Sequence, residues 1–340
     1  MAVVVTESIR NEGHLKGKTV LVTGGCGYVG SHVCRQLSEA GYRAVVFDNL
    51  STGLADALIY EETLVVGDCT DEGAVSALFT KFKFDAILHF AGVVVVPESV
   101  RNPLKYYHHN VTSTLMLLKF ALEKRVPHFI FSSTASIYGD TLQEAIPETA
   151  PLTPTNPYSR SKFMSEWLLQ DAAAAHPFFK FVILRYFNVA GADAKKRMGQ
   201  RGANSTHLIK VASQAVVGKR NGVTVYGSDY ATADGTGIRD YIHVEDIASA
   251  HLSALRYLEA SGESTILNCG YGHGFSVTEV LREFSRVFPE LKISHSARRP
   301  GDVSRLVADV SKIKRTLDWT PRHDRLSEIV LSAIEWEKKI

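Results

Sequence analysis

Two side chains four residues apart carry the plainest chemistry in this sequence: Tyr158 and Lys162, within NPYSRSKFMSEWLL at 156–169. On a helix that spacing puts both on one face. A phenol ordinarily ionises near pH ~10, too high for a base at neutral pH, and a neighbouring ammonium favours the phenolate. Tyr158 would then take the proton from a substrate hydroxyl while hydride leaves the same carbon. Thr134, in FIFSSTASIYGD at 129–140, supplies a hydroxyl to the same oxygen and is able to share or relay the proton. Ser132 and Ser133 precede it. Taken alone, a tyrosine and a lysine at this spacing describe a half-buried ring and a solvated amine. The pair acquires meaning only beside a hydride acceptor.

A site for such an acceptor opens the sequence. In KTVLVTGGCGYVG, residues 18–30, a β-branched run meets Gly24, Gly27 and Gly30 and passes into a helical pattern through Ser31–Ala40. The bend after the strand needs residues without side chains. Gly27 would admit a pyrophosphate close to the main chain, and Gly30 would let the helix pack against the sheet. The helix N-terminus offers unpaired N–H groups and partial positive charge to phosphates. The next apolar run, Arg43–Phe47, closes on Asp48 and Asn49. A carboxylate there accepts hydrogen bonds from adenosine ribose hydroxyls and repels a 2′-phosphate, which favours NAD over NADP. Asp68 follows the third strand at the height of the adenine edge. The cationic ring of an oxidised nicotinamide would add to Lys162 in favouring the Tyr158 phenolate.

The elements that must position these residues alternate regularly. Leu64–Val66 reads as a strand, Asp71–Phe82 as a helix capped by Asp71, and Ala86–Phe90 as a buried strand. Leu104–Arg125 is a long helix by its apolar spacing, Phe129–Ser132 a strand, Pro157–Ala175 a helix and Phe181–Leu184 a strand. Continuous apolar strands alternating with helices imply a mostly parallel sheet covered on both faces. After Arg185 the pattern loosens. Residues 190–205 predict a mobile loop over a binding cleft. Helices follow around 206–217, 245–260, 276–287 and 325–338, with short strands at 223–226, 265–268 and 292–295. The fold class predicted is α/β, a Rossmann-type doubly wound parallel sheet with a smaller C-terminal substrate-binding lobe. The expected division is 18–186 for the dinucleotide-binding domain and 187–340 for the substrate lobe, with segments around 238–262 returning to the first.

Composition bounds the function. The 340 residues are 45% hydrophobic and 22% charged, an ordinary globular mixture rather than a disordered or fibrous one. Lys plus Arg number 38 against 36 Asp plus Glu, so the net charge of +2 argues against a nucleic-acid partner. The polar lead-in at 1–18 lacks a signal peptide's apolar core, and no apolar stretch is long enough to span a bilayer. The four cysteines, Cys26, Cys34, Cys69 and Cys269, have neither disulfide-framework nor zinc spacing. Free thiols in a cytoplasmic protein without a metal site are the expectation.

TGGCGYVG, YSRSK and the Ser132–Thr134 run resemble the extended short-chain dehydrogenase/reductase superfamily. HFAG at 89–92, Phe187–Asn188, DGTGIRDYIHVEDIA at 234–248 and RRPGD at 298–302 are similar, more narrowly, to the UDP-glucose 4-epimerase family. The resemblance spans about residues 18–338. It implies tightly held NAD and interconversion of UDP-glucose and UDP-galactose through a 4-keto intermediate. It implies catalytic roles for Thr134, Tyr158 and Lys162, with Lys162 also holding the nicotinamide ribose. Around the cofactor it places Tyr28, Val29, Asn49 and Cys69 beside the glycine turn and the two aspartates. It adds Phe90, Ala91 and Gly92, then Asn110, Ser132 and Tyr186. For the UDP-sugar it implies Asn188, His207 and Leu208, with Tyr226 against the uracil. Arg239, Arg299 and Asp302 complete that set, with Leu306 gating the sugar. Arg forks suit a pyrophosphate independently. A homodimer is also implied, through the helices around 104–125 and 157–175.

Two positions depart from the family's pattern. Val94, inside VVVV at 93–96, stands where many members have a lysine near the cofactor phosphates. Leu306 is intermediate in bulk, between residues that restrict the pocket to plain hexoses and small ones that admit N-acetyl groups. Other readings stay open. Ala135 and Ser136 cannot supply the carboxylates a 4,6-dehydratase needs beside Thr134, and a decarboxylase usually carries Glu in place of Ser136. Epimerases of UDP-uronic acids or UDP-N-acetylhexosamines differ mainly in the pocket. A simple dehydrogenase would release NADH, and an NAD-binding scaffold or sensor would show no exchange at C4.

Overall fold

The structure, a computed structural model, describes residues 4–6, 17–60, 62–141, 143–202, 205–299 and 302–340. Most of the polar lead-in, two residues of the 190–205 segment, and Pro300 and Gly301 of the RRPGD segment lie outside the described residues. Within the lead-in, Val4–Thr6 forms strand β1 rather than polar coil. It pairs antiparallel with β4 (Thr63–Val66).

The apolar runs become β2 (Thr19–Thr23), β3 (Arg43–Asp48), β5 (Ala86–His89), β6 (His128–Thr134) and β7 (Lys180–Tyr186). With β12 (Thr265–Cys269) they make an eight-stranded sheet of order β1-β4-β3-β2-β5-β6-β7-β12. The β2–β3, β2–β5, β3–β4 and β5–β6 pairs are parallel. The chain moves outward from β2 to β4, then crosses back to β5. That reversal leaves a crevice at the carboxyl ends of β2 and β5, where doubly wound sheets take their ligands. The core beneath it includes Leu21, Phe47, Ile87, Phe129 and Phe131, all essentially excluded from solvent.

Helix α1 (Tyr28–Glu39) follows the glycine turn directly. In α2 (Glu72–Lys81) the Asp71 side chain accepts from the Ala74 N–H, the predicted cap. The predicted helix from Leu104 is interrupted and begins earlier. α3 (Val96–Arg101) ends at Asn102, and Pro103 opens α4 (Pro103–Tyr106). A π-helical turn over Tyr107–Thr112 then leads into α5 (Ser113–Glu123). Such turns insert one residue into the helical register and often serve function. Here the turn carries Asn110. α6 (Pro157–Ala175) has its predicted limits, because Asn156 and Ser159 form a reciprocal capping box and Pro157 takes the first helical position.

The chain divides into two compact units, one of Met1–Ile137, Pro154–Arg185 and Ala248–Leu267, the other of Tyr138–Thr153, Tyr186–Ile247 and Asn268–Ile340. The second unit's described residues hold three small sheets. β8 (Asn188–Ala190) pairs parallel with β11 (Tyr241–His243), and β9 (Val223–Tyr226) with β14 (Ile293–Ser296). β10 (Ile238–Arg239) lies between β13 (Phe275–Ser276) and β15 (Arg305–Leu306). The helices are α7 (Leu208–Val216), α8 (Val244–Glu259), whose later turns belong to the first unit, α9 (Val277–Val287), α10 (Ser311–Leu317) and α11 (Leu326–Lys339).

Residues 190–202 are a packed segment rather than the expected loose loop. Ala192 bridges to Gly199, and Met198 is buried. The Arg197 guanidinium donates to Asp193 at 2.9 Å, and Lys196 pairs with Glu335 of α11. A Cβ on Gly199 would strike the Trp336 indole at 2.6 Å. The charges that read as a solvated loop therefore satisfy one another, and the small residues permit close contact with α11.

Candidate active site

The glycine turn is built as its spacing suggests. Gly24 has φ of +69°, and a Cβ there would lie 2.6 Å from the Ala91 nitrogen. A Cβ on Gly30 would lie 2.4 Å from the Gly24 carbonyl oxygen, so α1 packs tightly on the turn. Gly27 is the N-cap and no side chain caps the helix, so the α1 terminus presents its partial positive charge at the turn.

Asp48 ends β3 buried. Its Oδ2 accepts from the Cys26 N–H at 3.0 Å and its Oδ1 from the Leu50 N–H at 2.8 Å. Burial pushes its pKa up against these two bonds. Asn49 Nδ2 donates to Asp68 Oδ2 at 2.9 Å, and Asp68 Oδ1 accepts from the Thr70 N–H and hydroxyl, both at 2.8 Å. Burial works against Asp68's charge, but these bonds outweigh it and hold the pKa low. Asp48, Asn49 and Asp68 thus form one polar edge, with Cys69 buried behind it, its thiol pushed up by desolvation.

At the end of β5 the Phe90 N–H donates to the Thr23 carbonyl, and the Phe90 ring lies 4.7 Å from that of His251. A Cβ on Gly92 would meet Asn110 Oδ1 at 2.7 Å. Asn110 Oδ1 accepts from the Val93 N–H at 2.8 Å, and its Nδ2 donates to the Ser161 hydroxyl at 2.8 Å. The π-helical turn therefore ties the post-β5 loop to α6. Val94 is exposed in that loop.

Thr134 ends β6, and Tyr158 and Lys162 lie one turn apart on α6, with electrostatics that differ from the expectation. Thr134 Oγ1 accepts from the Ser136 N–H at 3.1 Å. Lys162 Nζ donates to the Ser132 carbonyl at 3.0 Å and sits 4.8 Å from the Phe131 ring centre. The phenol's pKa is not lowered by Lys162 here. Desolvation raises it, and the bond from Thr134 opposes the rise. Burial brings Lys162 down to about 8, with Glu166 working against the fall. The expected lowering of Tyr158 is thus corrected. The ammonium is spent on a carbonyl, and the group that favours the phenolate is Thr134.

In the second unit, Arg299 lies 3.7 Å from the centre of the Tyr226 ring, and the Asp302 N–H donates to the Arg299 carbonyl. The ring expected against a uracil is thus covered by a guanidinium. Arg239 NH1 and NH2 donate to the carbonyls of Ile238 and Val303, at 2.9 and 2.7 Å. Arg239 stands opposite Leu306 in the β10–β15 register, and Leu306 is buried. The Asn188 N–H donates to the Asp240 carbonyl. His207 and Leu208 stand on another element, the start of α7, where His207 Nδ1 is 3.2 Å from Gln200 Nε2. Tyr186 ends β7.

Sequence reasoning missed Glu166, Arg185 and His251. Glu166 and Arg185 form a buried ion pair at 2.6 Å, and Ser133 donates to Glu166. Ser132 Oγ is 3.0 Å from His251 Nε2. Two signals were present: Glu166 continues the four-residue spacing of Tyr158 and Lys162, and Arg185 interrupts an apolar strand, where a charge requires a partner.

Comparison with known proteins agrees with this arrangement. Residues 20–270 match the NAD dependent epimerase/dehydratase family. The UDP-glucose 4-epimerase of Azospirillum brasilense is 48% identical over 322 residues, 94% of this chain and 92% of that protein. A crystal structure of UDP-glucose-4-epimerase from Stenotrophomonas maltophila, with bound NAD and formylated UDP-arabinopyranose, superposes with a TM-score of 0.91 at 36% identity, covering 95% of this chain and 98% of that one. The UDP-Glc/GlcNAc 4-epimerase of Campylobacter jejuni gives 0.84 at 47% identity, covering 95% and 100%. With a strand-end threonine, a tyrosine and a lysine gathered beside a glycine-built helix terminus, this chain belongs to the NAD dependent epimerase/dehydratase family.

Proposed function

We propose that this chain inverts the C4 configuration of UDP-hexoses, interconverting UDP-glucose and UDP-galactose with NAD retained through the cycle. The observation that carries this reading is the gathering of Thr134, Tyr158 and Lys162 at β6 and α6 in a chain 48% identical to a UDP-glucose 4-epimerase.

The residues present fit NAD. The uncapped α1 terminus offers amides to a pyrophosphate, the turn is too tight for a Cβ at Gly24 or Gly30, and Asp48 offers a carboxylate to ribose hydroxyls. Bound there, NAD would supply reversible hydride acceptance at the sugar C4. Tyr158 removes the C4 hydroxyl proton and restores it in the second half-reaction. Thr134 holds that same oxygen while Ser136 N–H fixes its hydroxyl. Lys162 orients the nicotinamide ribose. Arg239, Arg299 and Asn188 hold the UDP portion, so the hexose alone turns about its bond to the pyrophosphate. Domain roles follow this division: the first unit carries the cofactor and proton transfer, the second the nucleotide anchor.

Incubation with UDP-galactose without added NAD is expected to yield UDP-glucose, read by chromatography; absence of UDP-glucose would count against the reading. The 47% identity to a UDP-Glc/GlcNAc 4-epimerase favours a second substrate class, and UDP-N-acetylglucosamine in the same assay decides it.

No described helix is long and apolar enough to cross a membrane. A cytoplasmic setting is supported by four buried thiols without disulfides. A homodimer is supported by exposed apolar side chains on the family's pairing helices: Leu104, Leu115, Met164 and Trp167.

A further inference from the structure

One buried carboxylate of the second unit takes no part in the mechanism above. Asp240 is the single residue between β10 and β11, where the chain passes from one small sheet to another. It is wholly excluded from solvent, and its polar groups reach several segments. Its N–H donates to the Leu306 carbonyl of β15, and its own carbonyl accepts from the Asn188 N–H of β8, both at 3.0 Å. Its carboxylate accepts from the N–H groups of Tyr271 at 2.9 Å, Gly272 at 3.0 Å and Ala308 at 3.3 Å. A Cβ on Gly270 would lie 2.5 Å from its Oδ2, so the chain at 270–272 closes directly on it.

The residues held in this way are those assigned to the UDP-sugar. Asn188 begins β8, and Arg239 precedes Asp240 and stands opposite Leu306. Asp240 grips the β15 segment twice, through its main chain at Leu306 and through its carboxylate at Ala308. What meets its charge is backbone N–H groups. Arg239, next to it in the chain, gives its guanidinium to the Ile238 and Val303 carbonyls instead. Burying a charge in this manner is costly, so its position at this junction needs an explanation.

We propose that Asp240 is a positioning residue for the nucleotide sugar: bonded to several segments at once, its ionised carboxylate holds Arg239, Asn188 and Leu306 in one geometry. The inference rests on the epimerase reading of those three residues.

An ionised carboxylate offers only acceptors, which is what three N–H groups require. A protonated one turns an oxygen into a donor facing donors. The titratable groups around it come from the 269–273 segment and from β10. Cys269 has its thiol pushed up by burial, and the Tyr271 hydroxyl is given to Asp246 at 2.7 Å. His273, when protonated, favours the ionised Asp240, and β10 brings Arg239. From β8 and the β15 segment come the uncharged Asn188, Leu306 and Ala308. Burial outweighs the backbone bonds and His273 and brings the carboxyl up from 3.8 to about 6. Binding of a UDP-sugar therefore weakens as pH falls through that value.

Calorimetric binding of UDP-glucose to the NAD-loaded protein tests this. The ligand's pyrophosphate is a diester whose charge stays constant over the range, so a change in affinity belongs to the protein. The parent should bind about fivefold or more weakly at about pH 5 than at about pH 7. Asp240→Asn keeps the shape but sets an amide donor against a backbone donor. It should bind about tenfold or more weakly at neutral pH and lack the acid limb. Its KM for UDP-galactose should rise in step, with a far smaller change in kcat and NAD content unaltered. If Asp240→Asn does not fold, the parent's acid limb decides, provided it persists in His273→Gln. A parent that neither binds nor turns over UDP-sugars defeats the epimerase reading and this inference together. A parent that does both overturns the inference alone if its affinity is flat through this range, if the limb vanishes in His273→Gln, or if Asp240→Asn matches its affinity.

Discussion

At the residue scale, the roles proposed for Thr134, Tyr158 and Lys162 rest on what surrounds each side chain. Thr134 accepts the Ser136 N–H and so keeps its own hydroxyl proton to offer. Tyr158→Phe keeps the ring and removes the base. Turnover of UDP-galactose is expected to drop by roughly 10²- to 10⁴-fold while the thermal unfolding midpoint stays put. Lys162 makes the opposite trade. Folding lowers its pKa from 10.5 to about 8, chiefly by burial, so the ammonium is held at a cost to stability. Below pH 8 both folded and unfolded chains are protonated and the full cost applies. Between about 8 and 10.5 the folded amine is already neutral while the unfolded one is still charged, and the cost fades with rising pH. Lys162→Met should therefore be inactive yet melt higher than the parent near neutrality. The advantage is on the order of 3 kcal/mol, before the lost bond to the Ser132 carbonyl is counted, and it shrinks as pH approaches 10.5. Calorimetry across that range checks both the sign and the window.

At the scale of elements, α6 sets the geometry of the site from its first turn. Tyr158 is the second residue of the helix, inside the Asn156–Ser159 capping box. Asn156→Ala removes the side chain that accepts the Ser159 N–H and should cost about 1 kcal/mol in denaturant unfolding. Fraying would reach Tyr158 before Lys162, so kcat should fall by more than the stability loss implies, with NAD retention little changed. The capping box and the four-residue spacing are local patterns, and both were legible in NPYSRSK. The π-helical turn over Tyr107–Thr112 was not, because it is held by Asn110 bonding to Val93 and Ser161, partners distant in sequence. The 190–205 segment misled for a related reason. Its charges resemble those of a solvated loop until Asp193, Glu335 and the Trp336 ring are seen to take up Arg197, Lys196 and Arg201.

At the scale of the whole molecule, the exposed apolar side chains of the first unit need a covering surface. Leu104 is 77% exposed and Trp167 53% exposed, unusual values for residues of this size on ordered helices. If a second copy covers them, Trp167→Glu should convert a dimer to a monomer in light scattering at micromolar concentration, while the isolated chain stays folded. What the sequence determined by itself about this protein is its glycine turn, the aspartate that ends β3 and its tyrosine–lysine spacing. Each lies within a short stretch whose strand and helix periods are set by near neighbours. Only the tertiary structure decided which groups surround them. It set the Glu166–Arg185 pair behind Ser133, laid Arg299 over the Tyr226 ring, and returned the chain at Ala248–Leu267 to the first unit. Those features depend on contacts between residues far apart along the chain. Burial then sets the charge state of Tyr158 and Lys162, which no spacing of letters encodes.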